Sequence, residues 1–276
     1  MPLSENVNGI QHLGIVATNF EKSKKWYKDK FGFTSIYETK VDNTSTSFLK
    51  LGNLIIEMYK EGEFVKKRGA GHIDHFALDV YNADTALKEA LSKGVDVDPS
   101  TDDGFVFVKS LFEKGAKFVN LKGPDGVKIE LNERMQNVKP EGKYDIKGIA
   151  HIGIPVSDFK ISEEFYRNFG FKKAASTGFN EKGGKTKIVI IEKNGFQIEL
   201  YETAKTKKDI KNREDGYIDH IALDVKDIEN AYEEVKKMNV LMLDDSPQFL
   251  PFFKNGIKHF TFRGPDKEKV ELNQKL

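Results

Sequence analysis

The chain repeats itself, and that repeat limits its fold more than any other feature. Gly9-Ile-Gln-His12-Leu-Gly14-Ile-Val16 returns as Gly148-Ile-Ala-His151-Ile-Gly153-Ile-Pro155. Trp26-Tyr27 followed by Phe31-Gly32-Phe33 returns as Phe165-Tyr166 followed by Phe169-Gly170-Phe171. His72-Ile-Asp74-His75-Phe-Ala77-Leu-Asp-Val80 returns as Tyr217-Ile-Asp219-His220-Ile-Ala222-Leu-Asp-Val225. Gly123-Pro-Asp-Gly126-Val-Lys-Ile-Glu130-Leu-Asn132 returns as Gly264-Pro-Asp-Lys267-Glu-Lys-Val-Glu271-Leu-Asn273. The offset stays near about 140 residues, so two copies fill nearly the whole chain.

Each copy divides again into two modules of strand, helix and further strands. Alternation and β-branched residues mark strands at Ile10–Val16, Leu54–Tyr59, Asp74–Val80 and Val127–Asn132. Asn19 and Asp158 can cap helices that end at Gly32 and Gly170. Ala83, Leu87, Ala90 and Leu91, and then Ile228, Ala231, Tyr232, Val235 and Met238, form helical stripes that read as core. The expected domains are 1–138 and 145–276, each of two modules, joined through the polar stretch Met135 to Tyr144 with its Pro140 and Gly142.

Composition removes several function classes. The chain has no cysteine, which excludes disulfides, thiolate metal sites and a catalytic thiol. Charged residues make up 32% yet leave a net charge of only +1, without the basic excess that a nucleic acid or an acidic membrane surface would need. Lysine runs such as Lys205 to Lys208 read as solvated surface. No secretory signal opens the chain, and no apolar run nears the ~20 residues that span a bilayer, so the expectation is a cytoplasmic protein acting on a small molecule. The 21 Phe and 9 Tyr supply bulk for a core.

Four histidines open the four modules: His12, His75, His151 and His220. Two residues beyond them on the same strand face stand Gly14, Ala77, Gly153 and Ala222, small enough to leave space beside each imidazole. The late strands carry Glu57, Glu130, Glu199 and Glu271, flanked by apolar residues that point the other way. A single strand histidine or glutamate is more often a packed or solvated residue. Eight that recur in the order His, Glu, His, Glu have no packing rationale. Two imidazoles and two carboxylates balance a divalent ion and suit Zn, Ni, Co, Mn or Fe. His72 and His259 have no counterpart in the other copy and are placed outside this set. Tyr59 and Tyr201, two beyond a Glu, and Asn132 and Asn273, in the matching places, are candidate pocket groups. The aromatic stretches Phe105–Phe112 and Phe249–Phe253, with Phe107 and Phe252, are candidates for an apolar wall.

The module order, the opening histidines and the Gly-Pro-Asp-Gly turn before Ile-Glu-Leu resemble the vicinal-oxygen-chelate superfamily of glyoxalases, extradiol dioxygenases, epimerases and bleomycin-resistance proteins. The resemblance spans residues 8–135 and 147–274. It implies an α+β fold of four βαβββ modules in cupped mixed sheets, with a divalent metal held by the eight His and Glu residues. Dioxygenases of the family use two His and one Glu, and epimerases usually place Gln where this chain has Glu57 and Glu199. Two His with two Glu most resembles glyoxalase I. That resemblance implies a lyase or isomerase working on a small α-oxygenated substrate through a chelated enediolate, with Glu130 or Glu271, or else Glu57 or Glu199, as base. An arginine that glyoxalase I commonly carries after its first histidine is missing around Val16 and Val156, which leaves the thiol adduct open. A ring-cleaving dioxygenase and a drug-sequestering protein stay as alternatives.

The pairing of modules follows from link length and from the swapped glyoxalase I dimers. Glu57 to His75 is 18 residues and Glu199 to His220 is 21, short for two modules that must face each other. The expected sites are therefore His12, Glu57, His220 and Glu271, and His75, Glu130, His151 and Glu199, both within one chain. Pairing within each half stays open, because Glu130 to His151 is also 21 residues.

Overall fold

Each of the four modules begins with the strand that carries its histidine. The computed structural model describes residues 1–62, 65–135, 146–181 and 184–276. A short helix α1 (Leu3–Asn6) precedes the first module: β1 (Val7–Val16), α2 (Phe20–Phe31), β2 (Thr34–Val41), β3 (Thr44–Leu51) and β4 (Leu54–Glu61). The second holds β5 (His75–Val80), α3 (Ala83–Ser92), β6 (Asp96–Val97), β7 (Val106–Val108), β8 (Ala116–Lys122) and β9 (Lys128–Arg134). The third holds β10 (Ile146–Pro155), α4 (Phe159–Asn168), β11 (Lys172–Glu181), β12 (Gly184–Lys193) and β13 (Phe196–Glu202). After α5 (Thr206–Asp209) the fourth has β14 (Ile218–Val225), α6 (Ile228–Lys236), β15 (Gln248–Leu250), β16 (Ile257–Arg263) and β17 (Lys269–Lys275). The expected linker, apart from Met135, lies outside the described residues.

Four side-chain caps start the module helices. Asn19 accepts from Lys22 N, Asn82 from Thr85 N, Asp158 from Ile161 N and Asp227 from Asn230 N. Each such cap is worth about 1 kcal/mol. Gly32, in the left-handed region at φ 79°, ends α2 as expected. The stripe on α3 needs one correction. Ala83, Ala86 and Ala90 are its buried residues, and Leu91 is 49% exposed. Ala86 and Ala90 sit four apart on the face that meets the sheet, and Leu91 is a further 100° around the helix.

The strands form two mixed sheets. One runs β15-β16-β17-β14-β1-β4-β3-β2, and the other runs β11-β12-β13-β10-β5-β9-β8-β6 with β7 on β8. The first sheet thus joins the first and fourth modules, and the second joins the second and third. The repeat divides the chain at its middle, but each sheet takes one module from each half. At the centre of each sheet two opening strands run antiparallel, β1 on β14 and β10 on β5, and a parallel strand flanks each of them. Leu13, Ile56, Ile221 and Val270 lie on the face away from the histidines, fully buried in a core that both sheets share. Each such side chain contributes about 1.5–3 kcal/mol of burial.

Tyr27 and Tyr166 are matching residues buried under the first helix of each copy. Tyr166 Oη donates to Glu268 Oε1 at 2.9 Å, whereas Val127 stands in the Glu268 position of the first copy and Tyr27 Oη has no partner among the described residues. Burial, with the Asp266 charge adding to it, pushes the Glu268 carboxyl from 4.5 up to about 7.

Two tests follow from this architecture. Between about pH 4.5 and pH 7 the folded chain holds a proton on Glu268 that the unfolded chain has released. Stability from this group is therefore full below 4.5 and is lost as pH rises through 7, by about 3 kcal/mol. Denaturant titrations at pH 5 and pH 8 should show that loss reduced by that amount in Glu268→Gln. An equal loss in both proteins would place its source elsewhere. The sheet order makes a second demand. Residues 1–138 alone lack the partners of β1 and β5, so light scattering should find that fragment associated, and a stable monomer with a complete metal site would contradict the topology.

Candidate metal centres

Sheet register assembles the eight predicted donors into two sets. In the first sheet one row across the strands reads Phe48, Glu57, Gly14, His220, and the next reads His12, Ala222, Glu271. In the second the rows are Ile190, Glu199, Gly153, His75 and His151, Ala77, Glu130. The histidines come from the antiparallel seam and the glutamates from the parallel strands on either side. Each set therefore joins donors from both halves of the chain.

The small residues two beyond each histidine have a more specific use than open space. A Cβ on Gly14 would lie 2.1 Å from His220 Cε1, and one on Gly153 would lie 2.0 Å from His75 Cε1. Seam pairing puts each glycine opposite the partner histidine, so the facing imidazole fills the space.

All eight side chains are buried. His12 Nε2 and His220 Nε2 are 3.2 Å apart, and Glu57 Oε2 lies 2.9 Å from the first and 3.5 Å from the second. Glu271 stands further back, 3.7 Å from His12 and 3.9 Å from His220. In the other set His75 Nε2 and His151 Nε2 are again 3.2 Å apart. Glu130 is 4.0 Å and 3.5 Å from them, and Glu199 is 3.4 Å from His151.

The residue before three of the four histidines interrupts the pairing. Register shifts at Gln11, Ala150 and Asp219 are β-bulges, which turn a side chain away from strict alternation. Gln11 Oε1 thereby reaches His12 Nδ1 at 3.1 Å, with its own amide nitrogen donating to Asp224 and the Asn273 carbonyl. Asp219 reaches His220 Nδ1 at 3.3 Å, and Asp74 reaches His75 Nδ1 at 3.1 Å. These acceptors keep the proton on Nδ1 and turn the Nε2 lone pairs toward each other. Ring nitrogens 3.2 Å apart, with carboxylates beside them, are placed as the donors around a single cation would be. A tetrahedral ion with nitrogen bonds of about 2.0–2.1 Å has donor edges of about 3.3 Å. The donor chemistry and spacing of both sets therefore fit a divalent metal ion.

The aspartates are held in turn. Lys128 Nζ donates to Asp74 at 2.7 Å, Lys269 Nζ to Asp219 at 3.0 Å, and Arg68 Nη1 to Asp219 at 2.6 Å. Burial opposes ionising Asp74 and Asp219, but their His and Lys partners override it and hold both well below the carboxylate range. Burial likewise pushes Glu57 up, and contact with His12 and His220 brings it below its ordinary value. Burial and the Glu130 charge push Glu199 up to about 8.

The four other polar candidates all lie at these centres. Asn132 Nδ2 donates to Glu130 Oε1 at 2.7 Å, and Asn273 Nδ2 to Glu271 Oε1 at 2.8 Å. The Tyr59 ring lies 6.1 Å from His220, centre to centre, and Tyr201 lies 5.9 Å from His75. Phe252 packs on Phe48, which meets His12 edge-on at 5.6 Å. Phe107 is a correction. The alternation of β7 buries Val108 and turns Phe107 outward, 53% exposed, while Phe112 and Phe118 pack against the apolar cluster that includes Tyr201.

Sequence reading missed Gln11 and the two aspartates, although Ile-Asp-His stands in both copies. It also set His259 aside, yet His259 Nδ1 lies 3.2 Å from Glu271 Oε2. His259 pairs across β16 and β17 with Asn273, and the corresponding residue opposite Asn132 is Phe118.

The model of the glyoxalase/bleomycin resistance protein/dioxygenase superfamily matches residues 9–131 and again 148–272. The chain belongs to that superfamily, as a member with two consecutive copies of its domain. Shorter relatives match one half. The Bacillus subtilis protein YwbC is 32% identical over 142 residues, 47% of this chain and 98% of its own. The mitochondrial methylmalonyl-CoA epimerase of Dictyostelium discoideum is 30% identical over 138 residues, 46% of this chain and 80% of its own. Among solved structures, glyoxalase I from Zea mays aligns over 99% of this chain and 94% of its own, with 19% identity and a TM-score of 0.75. A putative dioxygenase from Bacillus subtilis covers 98% and 86%, with 15% identity and a TM-score of 0.66. At these identities the two structures share the fold.

Replacing His12 or Glu57 by Ala should lower bound metal from about two equivalents to about one, read by elemental analysis, with circular dichroism unchanged. Gly14→Ala should have the same effect by displacing His220. Full metal content in all three variants would refute the donor assignment.

Proposed function

We propose that the chain is a divalent-metal-dependent lyase or isomerase of glyoxalase type, acting on a small α-oxygenated substrate. One observation carries the reading: beside each compact group of two imidazoles and one carboxylate, His12, Glu57 and His220 or His75, Glu130 and His151, stands a second carboxylate, Glu271 or Glu199, one more than the two-His, one-carboxylate set of oxygen-activating iron sites. His12, Glu57, His220 and Glu271 would hold one ion and His75, Glu130, His151 and Glu199 the other. Bound there, a divalent ion would act as a Lewis acid on the substrate's adjacent oxygens.

The residues of the chain divide the remaining work. Removing a proton beside a carbonyl needs a base within reach of that carbon. Glu271 suits this role in the first centre, because it stands further from the imidazoles than Glu57. Asn273 holds its Oε1 and leaves Oε2 toward His259, which can steady the carboxylate as it takes up a proton. Glu130, held by Asn132, is its counterpart in the second centre. Phe48 and Phe252 line the first cup with apolar surface, and Ile190 and Leu111 do so beside the second. Such walls exclude water from the proton transfer.

The test is turnover of α-oxygenated aldehydes and their thiol adducts in deuterium oxide by metal-loaded protein. Deuterium should enter the carbon beside the carbonyl, activity should need the metal, and removal of oxygen should change nothing. Oxygen uptake matching turnover would move the protein to the dioxygenases. Glu271→Gln with Glu130→Gln should lower kcat by about 10²-fold or more while KM changes little.

A further inference from the structure

A crevice of about 1140 Å³ is lined by none of the eight donors. It lies where α4, the segment after α6, the turn between β16 and β17 and the approach to β5 come together. Its size is that of a site for a sizeable small molecule.

The walls are of two kinds. Ile161 and Phe165 on α4, with Val240 and Leu241 after α6, form an apolar side. Ile161 and Leu241 are 57% and 66% exposed, so the free protein leaves apolar surface in water there. The other walls carry six basic residues against three acidic ones. Most of these charges are already matched. Arg68 is committed to Asp219 at 2.6 Å, Arg263 to both oxygens of Asp215, and Lys237 to Glu234 at 2.6 Å. Lys67 and Lys267 have no carboxylate within ion-pair distance among the described residues, and they outnumber the one unmatched acid, Glu164.

Two further features mark the place. His72 lines the crevice at 5% exposure, and its Nδ1 has no hydrogen-bond partner among the described residues. A buried polar atom left unpaired destabilises the free protein, and a hydrogen-bonding ligand would relieve it. Lys267 holds φ at 69°, a left-handed conformation that the first copy gives to Gly126 at φ 80°. A lysine is an unfavourable choice for that turn, and the strained backbone keeps its charge at the mouth of the crevice.

The geometry points to a second ligand site in this crevice, separate from the metal centres, for an amphipathic organic anion. An apolar body would pack on Phe165, Ile161 and Leu241, an anionic head would pair with Lys67 and Lys267, and a polar group would meet His72.

The site can be probed on the metal-loaded full chain with 1-anilinonaphthalene-8-sulfonate, an aromatic body with one anionic head. Fluorescence titration should find a class of about one site per chain. Affinity for that class should fall at least about tenfold in the double variant Lys67→Ala, Lys267→Gly and in Leu241→Asp, with two metal equivalents retained. Lys267→Gly installs the residue the first copy already uses, so loss of folding is not the expected cause. The uncharged N-phenyl-1-naphthylamine should bind the unaltered protein at least about tenfold more weakly than the sulfonate. Unchanged sulfonate affinity in the double variant, or equal binding of the two probes, would overturn the proposal.

Discussion

Everything at the two centres depends on how the two opening strands of each sheet meet. An antiparallel seam brings two equivalent strands together head to tail, so a histidine on one faces the glycine two beyond the histidine on the other. Without a side chain at that glycine, the imidazoles can close to 3.2 Å between Nε2 atoms. Parallel strands on each side then add a glutamate in register. The donor set is thus a property of the sheet, whose rigid backbone fixes side chains more tightly than loops would. It also explains why the modules of one half cannot complete a site alone: each seam is made between halves.

A second layer turns this geometry into chemistry. A bare pair of buried imidazoles would rotate or take up a proton. Bulges at Gln11 and Asp219, and Asp74 at the start of β5, supply acceptors for Nδ1, and Lys128, Lys269 and Arg68 hold those aspartates in place. The carboxylates are treated alike, since Asn132 and Asn273 grip Glu130 and Glu271 from the same strand face. Burial of so many ionisable groups is unfavourable for an empty site, and it becomes favourable once opposite charge is present.

Much of this was legible from residues alone. The repeat fixed the module order, Asn19 and Asp158 marked helix starts, and the His, Glu, His, Glu order picked out the eight side chains that the sheets bring together, while their pairing across the halves came from link length and the likeness to swapped dimers. Period-two alternation, applied strictly, hid the rest. It predicts that the residue before each histidine faces away, whereas a bulge turns it back, so Gln11 and Asp219 were passed over in motifs already in view. His259 was set aside for lacking a counterpart, but a residue that differs between copies reports where the copies diverge, not where nothing happens. Phe107 failed for the opposite reason: in a three-residue strand, aromatic character gives no indication of which face a side chain takes. The crevice at Lys67 and Lys267 left no periodic signal at all, because it is assembled from five separate segments.

The two centres share their donors but not their surroundings, and the difference has a direction. In the first cup Gln11 supports His12, His259 stands by Glu271, and Phe48 and Phe252 form an aromatic wall. In the second, Ala150 leaves His151 without that support, Phe118 replaces the extra histidine, and Ile188, Ile190 and Leu111 line the space. More groups able to carry positive charge or donate hydrogen bonds surround the first set, which stabilises its carboxylates as anions. In the second set burial and the neighbouring Glu130 charge push the Glu199 carboxyl up to about 8. The two copies thus keep the same eight His and Glu positions and differ in the side chains around them. The first cup therefore sets a histidine and a phenylalanine pair beside its carboxylates, and the second sets aliphatic side chains with Tyr201 and Phe118 there, so equal donor sets stand behind unequal walls.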